Sequence, residues 1–138
     1  MCLSIAILRP QHVLAQSEHE GYEFVIVHND MGFRCGYVRL PVGHPWHGQD
    51  YGDIDCRAHG GLTFAEPDMP CDKGGADDAW WIGFDCGHGF DAPDPDLIDR
   101  SNEFQSFHRL RSGTVRSQEY VEDECKKICE QAKVAANN

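Results

Sequence analysis

Residues 22–28 are aromatic and β-branched, as strands prefer, and residues 33–40 set Gly36, Val38 and Leu40 in alternation with Cys35, Tyr37 and Arg39. Asn29-Asp30-Met31-Gly32 lies between them and has turn chemistry, so the pattern predicts a β-hairpin over about 22–40. From Ser117 the period changes. Val121, Cys125, Ile128, Cys129 and Ala132 fall at i, i+4, i+7, i+8 and i+11, which predicts an amphipathic helix over about 117–134. Ser117 is its expected N-cap; Glu119, Glu122 and Asp123 lie near the positive end, with Lys126, Lys127 and Lys133 farther along. The apolar run at 3–8, stopped by Arg9-Pro10, predicts a first strand, whereas 11–21 has no firm period and reads as a loop or short turn. Residues 41–55 read as an ordered loop, 65–79 as an exposed connection, 87–99 as a loop, and 104–110 as a short helix or turn. No internal repeat or domain boundary is evident. The expected fold is therefore α+β: one domain over 1–138, a mainly antiparallel sheet with the C-terminal helix packed on it.

Two segments, 59–64 and 80–91, carry the candidate chemistry. The first reads His59-Gly60-Gly61-Leu62-Thr63-Phe64, and the second opens Trp80-Trp81-Ile82-Gly83-Phe84-Asp85-Cys86-Gly87-His88. Read as strands, they bring His59, Thr63, Trp81 and Asp85 to one surface, with Gly61 and Gly83 leaving room for a ligand or a second backbone. Cys35, Tyr37 and Arg39, the more polar side of the hairpin's second arm, are expected to face the same surface.

At Arg34-Cys35-Gly36-Tyr37-Val38, Gly43-His44-Pro45, His59-Gly60-Gly61-Leu62-Thr63 and the segment from Trp80 to His88, the chain resembles a group of small proteins encoded by bacteriophages, prophages and their bacterial hosts. The resemblance runs from about Tyr22 to Asp91 and again over the last helix. It implies a phage or mobile-element accessory protein, and such proteins are often host-takeover or anti-defence factors. It brings no assigned activity. Phe90 departs from the pattern, standing where the group is expected to carry a small residue.

Composition narrows the field. With 41% apolar residues and a mean hydropathy of -0.52, the 138-residue chain is long enough to bury a core without disulfide staples. No run approaches the ~20 apolar residues that span a bilayer, and no basic leader or cleavage site is seen, so the host cytoplasm is the expected location. Seven cysteines occur with no Cys-x-x-Cys pair, which disfavours a zinc ribbon and in a reducing compartment points to free thiols or metal ligands. The net charge of -11 repels phosphate backbones and disfavours general nucleic-acid binding. A small nucleotide held by local basic groups, or a basic protein partner, is compatible with that charge.

Three chemistries follow. The leading one is one divalent metal ion, zinc favoured, in a hydrolase: His59, Asp85 and His88 as ligands, with Asp91, His44 or Cys35 as a fourth ligand or general base. A second makes Cys35 a nucleophile, His59 its base and Asp85 the group that orients the imidazole. The third is a non-enzymatic anti-defence protein. There, Tyr37, Arg39, Thr63, Trp81, His59 and Asp85 line a pocket that sequesters a nucleotide, with Trp81 stacking and Arg39 pairing with phosphate, or the acidic loop from Asp91 to Asp99 blocks a basic host protein. His12, His19, His28, His47 and His108 lack convergent partners and read as structural or surface groups, and Trp46 and Trp80 as anchors.

Overall fold

The computed structural model describes residues 12–67, 78–98 and 113–138. Five antiparallel strands, β1 (Val13–His19), β2 (Tyr22–His28), β3 (Arg34–Leu40), β4 (Phe64–Pro67) and β5 (Trp80–Asp85), form a sheet in the order β1-β2-β3-β5-β4. Two short strands, β6 (Asp91–Ala92) and β7 (Thr114–Val115), pair in parallel, and α1 (Gln118–Ala136) closes the chain. This is the α+β architecture expected from the sequence. The strand and helix proposed for 3–8 and 104–110 lie outside the described residues, as does Asp99.

The hairpin of β2 and β3 forms in register, Phe24 opposite Val38 and His28 opposite Arg34. The Asn29 carboxamide ties the turn by accepting from the Met31 and Phe33 N–H groups. Residues 12–21 differ from the expected loop, for Val13–His19 pairs with β2 as an edge strand, and residue 11 lies outside the described residues. Its polar residues Gln16, Ser17 and Glu18 are exposed, and this edge position hid the period from the sequence.

α1 rests chiefly on β3 and extends to β2 and β1. All five residues of the apolar stripe are fully buried, against Phe24, Ile26, Val38, Leu40, Ile82 and Phe84 of the sheet. The close approach depends on Gly36, where a Cβ would collide with the Cys125 Sγ and the Phe84 ring. Ser117 caps the helix as expected, its Oγ accepting from the Tyr120 N–H. The helix C-terminal half is clipped by the 41–55 loop. His44 Nδ1 accepts from the Trp46 N–H at 3.0 Å, so its Nε2–H donates to the Ala132 carbonyl at 2.8 Å.

The opposite face of the sheet is apolar as well. Val25, Val27, Cys35, Tyr37 and Trp81 form a second buried cluster there. The Tyr37 ring fills the space over Gly83, its register partner. No helix among the described residues is long and apolar enough to cross a membrane.

Candidate metal centre

The centre lies at the end of the sheet where α1 begins, and Asp91 is its hub. Its carboxylate is fully buried and accepts hydrogen bonds from three separate parts of the chain. His59 Nε2 stands 3.0 and 2.9 Å from Oδ1 and Oδ2. Arg116 Nε donates to Oδ1 at 2.8 Å, while Oδ2 also meets the His88 backbone N–H at 3.0 Å and the His88 ring Nδ1 at 3.2 Å. Burial on its own raises a carboxyl pKa, but the bonds from His59, Arg116 and His88 outweigh it and hold Asp91 down to about 2. Asp91 is therefore an anion at neutral pH, and the Arg116 guanidinium is correspondingly harder to deprotonate.

Local structure sets each position. His59 sits in a tight turn, not a strand: the Gly61 N–H reaches the Ala58 carbonyl at 2.8 Å, and Gly60 and Gly61 take φ of +69° and +87°. These left-handed conformations break the alternation read from the sequence, and the strand starts only at Phe64. At Gly60 a Cβ would land in the His88 ring, so the missing side chain is what admits that imidazole. His88 and Asp91 face each other across a one-turn reversal closed by the Asp91 N–H on the His88 carbonyl at 2.9 Å. β7 pairs with β6 and delivers Arg116, and the first turn of α1 delivers Tyr120, whose hydroxyl is 2.8 Å from His59 Nδ1. Arg34 steadies this junction, donating to the Arg116 carbonyl and to Asp94, both at 2.9 Å.

Of the predicted ligands, His59, His88 and Asp91 come together, with one donor atom from each lying within 4.8 Å of the others. Comparison with family models, with curated proteins and with solved structures returns no match to this chain. Its chemistry must be judged on this geometry. Donors 2.0–2.1 Å from a tetrahedral metal are about 3.3 Å apart. The 3.2 Å between Asp91 Oδ2 and His88 Nδ1 is close to that spacing, the 2.9 Å to His59 Nε2 is a hydrogen-bond distance somewhat shorter than it, and the two imidazole donors lie within 4.8 Å of each other. Two of the ligand groups are held from behind: Tyr120 supports the second nitrogen of His59, and Arg116 the second oxygen of Asp91. These three residues could hold a metal ion.

The other sequence candidates lie elsewhere. Asp85 accepts from Thr63 Oγ1 at 3.1 Å and from the Gly87 N–H at 2.9 Å; it braces a turn, since alternation along β5 carries it to the face away from α1. Both ring nitrogens of His44 are engaged with backbone, so it serves as a clip for α1. Cys35 belongs to the second buried cluster, across the sheet from His59, and burial pushes its thiol up to about 12. A Cys35–His59–Asp85 triad does not assemble. Trp81 and Tyr37 are buried in the same cluster, and Arg39 pairs with Glu23 at 3.4 Å, so no stacking site forms there. Cys35 and Tyr37 instead line a cleft of about 250 Å³ with His12, His28 and Asp30.

Arg116, Tyr120 and Phe90 enter the site although the motif reading passed over all three as site residues. Arg116 and Tyr120 come from the start of the helix, about thirty residues past the motifs, and only their place beside the Ser117 cap could have flagged them. Phe90 stood out only as a departure, yet its ring stacks on His88 at a centroid distance of 5.3 Å and 6° between planes.

Proposed function

We propose that this protein is a metal-dependent hydrolase whose His59 Nε2, His88 Nδ1 and Asp91 carboxylate hold one divalent ion; the two-imidazole, one-carboxylate set serves zinc and non-haem iron alike, and zinc is preferred because hydrolysis needs no redox change. The observation that carries the reading is the convergence of these three donors within 4.8 Å of one another, two of them backed by a hydrogen-bond partner. His59 Nε2 faces the Asp91 carboxylate and Nδ1 faces the Tyr120 hydroxyl. An ion held on Nε2 would need that nitrogen free of its proton, leaving Nδ1–H to donate to the Tyr120 oxygen. Three protein ligands leave a position for water, whose pKa such an ion lowers to near neutrality. A water so activated would add across an ester or amide bond, its oxygen bonding to the phosphoryl or acyl centre while the leaving group departs with the proton.

The experiment is elemental mass spectrometry on tag-free protein beside His59→Ala and Asp91→Asn. About one metal ion per chain in the wild type, absent from both variants, supports the centre. No metal in folded wild-type protein, even after addition and removal of excess ion, overturns it.

A second reading, stoichiometric capture of an anionic ligand without turnover, is supported by the Arg116 guanidinium and the half-exposed Phe90 at the rim. Ligand bound one-to-one and recovered unaltered separates it from hydrolysis. In either form we place the protein among phage or mobile-element accessory factors of the host cytoplasm, on the strength of the motif resemblance.

A further inference from the structure

We infer that the ligand of this centre is a small nucleotide, its base stacked on Phe90 and its phosphate paired with Arg116 beside the metal. The inference rests on the metal reading above and goes on to name what is bound. Phe90 is 53% exposed, although its neighbours His59, His88 and Asp91 are mostly or wholly buried. It is not a loose surface residue: its ring stacks on His88, meets His59 edge to face at 5.2 Å, and lies 5.7 Å from the Arg116 guanidinium carbon. A rigidly held aromatic ring with half its surface in water, next to metal donors, is a stacking platform for a planar group.

Arg116 supplies the anion contact. Asp91 takes only the Nε donor of its five-donor guanidinium, and among the described residues no other acceptor holds it. The guanidinium carbon also lies over Tyr120, at 5.1 Å from the ring centroid. Platform, guanidinium and metal donors therefore fall within the reach of one nucleotide. Polymeric nucleic acid fits poorly: a chain of charge -11 repels an extended phosphate backbone, whereas one phosphate group is outweighed locally by the ion and Arg116.

The test titrates the zinc-loaded full chain by calorimetry with the phosphonate analogue of adenosine monophosphate, which has no ester bond to cleave, and with ribose 5-phosphate. Wild type, Phe90→Ala and Phe90→Trp are compared, and the metal content of each is measured. The expected result is at least tenfold tighter binding of the analogue than of ribose 5-phosphate, a loss of about tenfold in Phe90→Ala, and retention in Phe90→Trp, all at unchanged metal content. Equal affinity for the two ligands, no binding, or an analogue affinity in Phe90→Ala equal to wild type overturns the inference. Failure of the metal reading is visible separately, as absent metal in the wild type. The same titrations without zinc then judge Phe90 by the same tenfold criteria.

Discussion

Gly60 and Gly61 provide an internal control for the site, because both have left-handed backbone and only Gly60 lies against His88, one of the proposed metal donors. Alanine at either position must hold a positive φ, which costs about 1–2 kcal/mol. At Gly61 nothing lies within 4 Å of the added Cβ, so the cost ends there. At Gly60 the Cβ lands in the His88 ring, which must swing away. That movement gives up the His88 Nδ1 bond to Asp91, worth about 1.5 kcal/mol for a charge-assisted bond at a partly exposed site, and the Phe90 stack, worth about 0.5–1 kcal/mol. Gly60→Ala should therefore be about 2 kcal/mol less stable than Gly61→Ala. In metal-free urea unfolding with a slope of about 2 kcal/mol/M, this places its midpoint about 1 M lower. Elemental analysis under metal-saturating conditions should then find the ion in Gly61→Ala and not in Gly60→Ala. Equal midpoints and equal metal in the two variants would refute the assignment of His88 as a ligand held in place by the missing Cβ.

Two further outcomes are expected. Tyr120→Phe keeps the ring against His59 but removes the hydroxyl from Nδ1, so metal affinity should fall about 10–100-fold in a competition titration, and an unchanged affinity would remove Tyr120 from its supporting role. The buried thiols set an alkaline limit: burial pushes Cys35 and Cys129 up to about 12, so the unfolded chain loses these protons first, and stability present below about pH 9 should drain away between about pH 9 and 12. A urea midpoint that stays flat from pH 8 to 10.5 would contradict those raised values.

What the sequence made legible follows from how local each signal is. The hairpin and α1 were readable because a strand buried in a sheet and a helix with one buried stripe repeat their pattern every two or 3.6 residues, and the turn and cap residues sit within the same few positions. β1 was not, since an edge strand with exposed Gln16, Ser17 and Glu18 has no apolar rhythm to show. The site was half legible. The sequence points to His59, His88 and Asp91 but ranks Asp85 ahead of Asp91, because strand alternation through 59–64 puts Asp85 on the His59 face. Two consecutive glycines at positive φ turn that segment instead, and the residues on either side no longer share faces by parity. Cys35, Tyr37 and Trp81 were misplaced for a related reason: the reading assumed one apolar and one polar sheet face, whereas both faces of this sheet are buried, so polarity could not tell which side faced His59.

Asp91 also explains why the centre sits where it does. A fully buried carboxylate is costly unless every lone pair is used, and here the donors come from the turn before β4, from the reversal after β5 and from the residue just before the α1 cap. The first two flank the neighbouring strands β4 and β5, and the third arrives with β7 from the far end of the chain. The carboxylate therefore does structural work, tying the start of the helix to the end of the sheet, and it is also the anion around which two imidazoles converge. Because the donors meet only when all three segments are in place, an ion bound there draws its affinity from the folded chain. An ion held there would add about 2.7 kcal/mol to the fold at a hundredfold excess over its dissociation constant.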